Sequence, residues 1–434
     1  MNKNAIVDQA AASPNFRWKP RHTVLLILGI TWVATYLERT VMSVAMPYIS
    51  AEYHLSPLHA GIVLGMFYAG YAVFQVPGGL LADLFGVRIV ATMSILWRAT
   101  FVALTAAAST LAQFVGVRVL FGLGDGVFPA CAFKTIATWF PPHERTRANA
   151  LMLAVMPLGT ALAPLAMIPV ISLWGWRAAF FALLLPGVLT AALFWIFVKN
   201  RPPVDRNDDA TAMLPAEKGE AAPVEEKLSK AEVRNVLLRP DVLKYFLVVL
   251  TYDTAYWGYW SWLPSYLVNA RGLSLTQMGI AASLPSFGGV AGCLVGGWIS
   301  DKFFSRHRRF PIIVGQLISA LLLYLTFTSD TAVKLVIFQT IGGFFLEAFF
   351  STFWALPMTT VSGRLMGVTS GFINMAGQIA AFGAPIVIGF LVAAAGGGYG
   401  LTFAFLIGAI LLSSLVVLTV SEPSQSKRLV INGV

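Results

Sequence analysis

Apolar residues in this chain run in long blocks, and the polar residues gather between the blocks instead of alternating with them. Twelve blocks recur, at 22–46, 57–82, 88–108, 111–139, 147–171, 176–198, 242–268, 275–300, 310–328, 332–357, 364–394 and 399–420. Each is near or above the ~20 residues that an α-helix needs to cross hydrocarbon. Lipid cannot satisfy backbone hydrogen bonds, so such blocks are expected to be helical; a membrane β-barrel would show short alternating segments. The pattern therefore predicts an all-α membrane protein of twelve transmembrane helices. Residues 199–241 differ in kind: they are rich in Pro, Lys and Glu, and their charges nearly cancel. They read as a solvated linker between one six-helix bundle at 22–198 and a second at 242–420, with tails at 1–21 and 421–434.

A repeat supports the two halves. Gly78-Gly79-Leu80-Leu81-Ala82-Asp83 returns as Gly296-Gly297-Trp298-Ile299-Ser300-Asp301, an offset of 218 in a chain of 434 residues. Basic residues follow each copy: Arg88 after the first, and Lys302, Arg306, Arg308 and Arg309 after the second. One repeat at half length, between spans, is the layout expected of a transporter with a site between its halves. Carried along the chain, the offset takes Glu38 and Arg39 to Tyr256 and Trp257, and Arg118 and Asp125 to Val336 and Gly343.

Charged residues make up 12% of the chain, about half the usual share in soluble proteins. The net charge of +10 could suggest nucleic acid, but its placement does not. Of 30 Lys and Arg, 23 fall in segments on the side of the N-terminus, and three (Arg177, Arg271, Lys334) on the other. That bias predicts both termini in the cytoplasm of a bacterial inner membrane and excludes a nucleic-acid partner. Residues 1–21 are polar, unlike a cleavable signal. Cys131 and Cys293 lie in spans without metal spacing and read as packing residues. The five histidines sit in loops or at span ends, which argues against a histidine proton relay. No cofactor, metal or enzymatic nucleophile is expected, and a monomer would suffice.

The remaining ionisable residues lie at membrane depth: Arg39, Arg98, Arg118 and Lys134, against Glu38, Asp125, Asp253 and Glu347. Each is costly there unless it faces protein, water or a partner. Glu38 and Arg39 point about 100° apart, and Arg118 and Asp125 share a face about 10 Å apart, so neither pair satisfies itself. The expected arrangement is cross-pairing between the first and fourth spans, with Glu38 on Arg118 and Arg39 near Asp125 or the substrate. A buried acid whose arginine can be taken away can bind a proton near neutral pH. An anion that occupies the arginine would then bring a proton with it; the competing reading is a permanent ion pair between spans. Arg98 reads as structural, Lys134 as snorkelling or serving substrate exit, and Glu347 as a lock on the tenth span or a cavity residue. Tyr256 and Trp257 lie deep enough to stack on a substrate, and Asp253 to hydrogen-bond within a gate.

These residues also carry a family likeness. The loop from Gly78 through Asp83 to Arg88 resembles the signature loop of the major facilitator superfamily, and Gly297 to Arg306 its weaker second copy. Arg118-Val119-Leu120-Phe121-Gly122-Leu123-Gly124-Asp125, followed by Trp139-Phe140-Pro141-Pro142, resembles the anion:cation symporters, which include bacterial hexonate, hexuronate and aromatic-carboxylate carriers. Tyr36-Leu37-Glu38-Arg39 fits their first-span motif. The resemblance implies that Glu38 and Asp125 bind protons and that Arg39 and Arg118 handle the anion. It places Tyr36, Tyr71, Ser351, Trp354 and Asn374 at substrate contacts, beside Tyr256 and Trp257. Asp83, Arg88, Asp301 and Arg306 would form a cytoplasmic latch. Glu and Asp are exchanged relative to the usual pattern. Apolar Met156 stands where sugar-acid carriers have a polar contact, which favours a less polar carboxylate.

The sequence thus points to import of a small organic anion by proton symport with alternating access. The alternative is a proton-driven exporter of drugs or organic cations. Asp253 suits a cation, but the stretch Gly159-Thr160-Ala161-Leu162-Ala163-Pro164 only partly keeps the exporter pattern.

Overall fold

The computed structural model describes residues 18–201, 229–304, 307–361 and 363–420, and among them no strand occurs. In chain order the helices are α1 Pro20–Tyr53, α2 Pro57–Phe85, α3 Val87–Leu104, α4 Leu111–Trp139, α5 Pro142–Ala154, α6 Met156–Ala182, α7 Leu184–Phe197, α8 Lys230–Leu237, α9 Pro240–Asn269, α10 Leu275–Phe303, α11 Arg309–Thr328, α12 Ala332–Phe353, α13 Ala355–Thr360, α14 Gly363–Ala394 and α15 Gly400–Leu418. The tails and most of the expected linker lie outside the described residues. The part of 199–241 that is described includes α8, which Ser229 and Glu232 cap reciprocally.

Among the described residues, ten helical runs are long and apolar enough to cross a membrane. One of them, Pro142–Phe197, has 56 residues. At 1.5 Å per residue that is about 84 Å of helix, more than twice a ~30 Å core. It reverses at Gly175, whose φ of 80° only glycine adopts freely, and so supplies two spans. The twelfth is the 30-residue α9, whose Tyr, Trp, Asp and Ser positions dilute its hydropathy although it is buried along its length. The fifth span begins at Pro142 and not at 147, because the charged turn His143–Arg147 stays helical beyond the apolar block.

Three helix breaks have a common cause. The chain leaves the helix at Val155, Leu183 and Trp354, two or three residues before Pro157, Pro186 and Pro357. Proline has no N–H to donate and clashes with the preceding turn. The first and third breaks put Met156 and Trp354 beside the central cavity.

The halves share a packing scheme. Serine or threonine caps α2, α4, α10 and α12 through Ser56, Thr110, Ser274 and Thr331, each worth about 1 kcal/mol. Glycines let backbones touch: Gly70 against the Val119 carbonyl and Gly122 against that of Phe67 join α2 to α4, while Gly288 against Thr340 and Gly343 against Pro285 join α10 to α12. Close approach of this kind is how helices associate in lipid. These pairs set the true register. Ser56 maps to Ser274 and Gly70 to Gly288, an offset of 218, but Thr110 maps to Thr331 and Gly122 to Gly343, an offset of 221. Arg118 and Asp125 therefore correspond to Gln339 and Leu346, and not to Val336 and Gly343.

Between the halves, several glycines make tight contacts at the end opposite the chain termini. There Gly61 meets Pro385, Gly65 meets Phe382, Gly389 meets Pro57, and Gly279 meets Ile168. Toward the termini, Gly367 and Gly371 of α14 have nothing within 4 Å of where a side chain would stand.

Candidate functional site

Four charged side chains from α1, α3 and α4 form a chain in the first half. Arg39 Nε donates to Asp125 Oδ2 at 2.6 Å. Asp125 Oδ1 lies 3.9 Å from Arg98 Nη1, which lies 3.1 Å from Glu38 Oε2 and also donates to Thr35 Oγ1. Glu38, Arg98 and Asp125 are fully buried. Glu38 does not meet Arg118: it faces α3 and α7, where a side chain at Gly187 would meet both Ala99 and the Glu38 carboxyl. Arg98, expected to be merely structural, is the link between the two acids.

Arg118 stands apart. Its guanidinium carbon lies 5.0 Å from the centre of the Phe67 ring and 5.3 Å from that of Phe121. No carboxylate of the described residues is within 4.0 Å of it. Arg39 approaches the same Phe67 ring at 5.2 Å, and also Tyr36 at 5.0 Å and Tyr71 at 4.8 Å. Both cations thus lie against one aromatic ring, and cation–π attraction supports each.

Arg39 reaches a cavity of about 280 Å³ between the halves, lined also by Tyr36, Tyr71, Trp257, Trp354 and Asn374. Of the expected substrate contacts, three are elsewhere. Arg118 is outside the cavity lining, against Phe67 and Phe121. Tyr256 donates to Glu347 Oε1 at 2.6 Å and packs on Phe350. Ser351 donates to the Ala348 carbonyl and rests against Gly296 and Gly297. Glu347 is outside the cavity lining and ties α12 to α9. The wall also holds Trp32, Tyr68, Gln75, Asp253, Phe350 and Gln378, with Met156 as expected in its apolar part. A sequence signal for several of these existed: Trp32, Gln75, Asp253, Phe350 and Gln378 each lie four residues from a recognised contact, one helical turn along the same face. Toward the opposite end the cavity is roofed by Tyr68 against Trp257, 5.1 Å between centroids. Toward the termini, Phe133 and Asn374 are exposed.

The repeated loops have separate partners. Lys134 Nζ donates to Asp83 and, at 2.8 Å, to the Ala82 carbonyl, fastening α4 to the end of α2. Arg88 is bound elsewhere: its Nε donates to the Trp195 carbonyl at 2.7 Å and it stacks on that indole at 4.2 Å. In the second copy, Arg306 and the side chain of Asp301 lie outside the described residues.

Comparison with known proteins agrees with this architecture. Residues 28–385 match the family model described as Major Facilitator Superfamily. The chain is 31% identical to the "Probable sulfoacetate transporter SauU" of Cupriavidus necator, over 94% of this chain and 97% of that one. It is 27% identical to the "Hexuronate transporter" of Bacillus subtilis, over 94% and 96%. Among solved structures, a bacterial homologue of the human lysosomal transporter Spinster, inward-facing and occupied, superposes with a TM-score of 0.74 at 17% identity, over 94% of this chain and 99% of that one.

Proposed function

The chain belongs to the Major Facilitator Superfamily, as a transporter and not an enzyme, and from that premise we propose that it imports a small organic anion together with protons. It would do so as a monomer, in a bacterial inner membrane, with both termini in the cytoplasm. The observation that carries the reading is the chain of charges from Arg39 at the cavity to Asp125, Arg98 and Glu38 behind it. A carboxylate or sulfonate entering the cavity competes with Asp125 for Arg39, whose Nη2 is buried without a hydrogen-bond partner. Arginine suits this task, because its planar fork binds such groups in pairs of hydrogen bonds. Once Arg39 is engaged, two acids are left to share Arg98. One acid is in excess, and a proton on either removes the excess. Arg118, with no acid of its own among the described residues, adds the positive field that draws the anion inward.

Sulfoacetate and hexuronate, named for the relatives, share the anionic group that this arrangement recognises. Alternating access would rock the two six-helix halves about the cavity, opening the glycine seam opposite the termini while the Asp83, Arg88, Asp301 and Arg306 loops close at the cytoplasmic face. The test is transport by the purified protein in liposomes under an inwardly directed proton gradient, with labelled hexuronate, hexonate, benzoate and sulfoacetate. At least one anion is expected to accumulate and to leak away when a protonophore collapses the gradient. Accumulation of an organic cation against protons, with no anion moved, would instead establish the exporter.

A further inference from the structure

Opposite Arg39, the second half presents Asp253, which also lines the cavity. Its residue is only 6% exposed. Gly377 leaves room for Oδ2, where a side chain would collide, and the Trp257 indole lies beside the carboxyl. Oδ1 has no hydrogen-bond partner, and neither has Gln378 Oε1 on the same wall. None of the described residues brings a cationic group to Asp253 within 4.0 Å; Arg39 belongs to Asp125 across the cavity, and Glu347 is held by Tyr256. The residues that line the cavity therefore carry an unpartnered donor, Arg39 Nη2, on one side and unpartnered acceptors on the other, each atom with under 1 Å² exposed.

Buried polar atoms are costly without partners, and a site built around them discriminates strongly against ligands that cannot pair with them. A solute that carries only an anionic group answers the first wall and leaves the second unanswered. Its 280 Å³ equals about nine water volumes of ~30 Å³, room for one molecule that answers both. Resting on the anion-import reading above, we propose that Asp253 is a specificity-determining residue: it selects anions that carry a hydrogen-bond donor, a hydroxyl or an ammonium, at the end remote from the anionic group.

The probes are matched straight-chain carboxylates of four, six and eight carbons, each ending in methyl, hydroxyl or ammonium. Binding to the purified full chain is measured by calorimetry, and uptake in liposomes. At the best-fitting length, the donor-bearing compounds are expected to bind roughly 10- to 100-fold more tightly than the methyl compound. Whether hydroxyl or ammonium leads identifies the donor. Asp253→Leu should bring that ratio near one. Asp253→Asn, which still accepts, should keep a preference for hydroxyl and lose any for ammonium; it also serves if the leucine variant fails to fold. Equal binding of methyl and donor compounds at every length, or a preference that survives Asp253→Leu, overturns the role of Asp253 while leaving anion import standing. If no carboxylate is bound or moved and organic cations are, anion import itself falls.

Discussion

Replacing Glu38 by glutamine should separate anion exchange from proton coupling. In the resting arrangement Arg39 holds Asp125 at 2.6 Å, and Arg98 holds Glu38 at 3.1 Å and Asp125 at 3.9 Å. At an effective dielectric constant of about 20, these separations correspond to attractions of about 6, 5 and 4 kcal/mol. An anion that takes Arg39 deprives Asp125 of the largest of them. In the native chain Arg98 cannot make good the loss, because Glu38 already claims it from closer range. On the proposed mechanism a proton then accompanies the anion. In Glu38→Gln the Arg98–Asp125 attraction stays at about 4 kcal/mol, but the repulsion of Asp125 by a second acid is gone, which offsets what the anion removed. The anion can then bind and cross without a proton. Glutamine also keeps the size of the side chain and can still accept from Arg98, so the fold should tolerate it. In liposomes the variant is expected to exchange internal for external anion within about threefold of the native rate, since 0.6 kcal/mol is about threefold, yet to reach only equilibrium under an imposed proton gradient. Its anion affinity should lose its dependence on pH. Uphill accumulation by Glu38→Gln at the native level would refute the division of two acids over one arginine.

Removing Arg98 instead leaves two buried acids with too little positive charge. Arg98→Met is expected to destabilise the protein by roughly 3–5 kcal/mol, and Glu38→Gln in the same chain should recover part of that; thermal unfolding in detergent reads both, and additive losses would contradict the pairing. Gly122→Ala drives a methyl into the Phe67 carbonyl at the α2–α4 contact and should cost about 1–3 kcal/mol, whereas Gly116→Ala, with nothing within 4 Å, should be neutral or slightly stabilising through helix propensity. Equal melting temperatures for the two would show that the glycine contact is not tight. Arg118→Lys should lower uptake sharply even though Arg118 lies off the cavity wall, because an ammonium cannot lie flat against Phe67 and Phe121; native uptake would remove Arg118 from the anion path.

The fold was legible because lipid imposes it. Hydrocarbon thickness fixes the length of each apolar block, and unsatisfied backbone forces each block into a helix. The sequence was also a sound guide to which residues carry charge at depth, since such residues stand out against their surroundings. It guided the pairing only in part: Arg39 meets Asp125 as expected, but Glu38 does not meet Arg118. Glu38 turns to Arg98 because α3 and α7 close on it through Ala99 and Gly187, and the rotation of one helix against another is not written in either helix alone. Ser351 was misjudged for a related reason: a hydroxyl in a helix can bond its own backbone, as it does at the Ala348 carbonyl. Asp253 could have been placed, since it stands one turn before Trp257 on the same face.

The corrected register changes what the two halves share. With an offset of 221 in α12, Gly126 corresponds to Glu347, and with 218 in α10, Tyr71 corresponds to Gly289. In the first half Gly126 admits the backbone of Tyr71; in the second, Gly289 admits the side chain of Glu347. The small residue has changed sides, and the space it leaves holds an acid one position past the counterpart of Asp125. That acid meets no arginine among the described residues and accepts instead from Tyr256. The same place in the repeat therefore holds an arginine-paired acid in one half and a carboxyl bound by tyrosine in the other. Tyr256→Phe strands a buried acceptor and should cost about 1–3 kcal/mol, while Glu347→Gln, which can still accept from Tyr256, should melt near the native temperature and keep proton-driven uptake. Loss of proton coupling in Glu347→Gln with stability intact would mean that the second half also carries protons, and that the repeat divides the chemistry less sharply than its geometry implies.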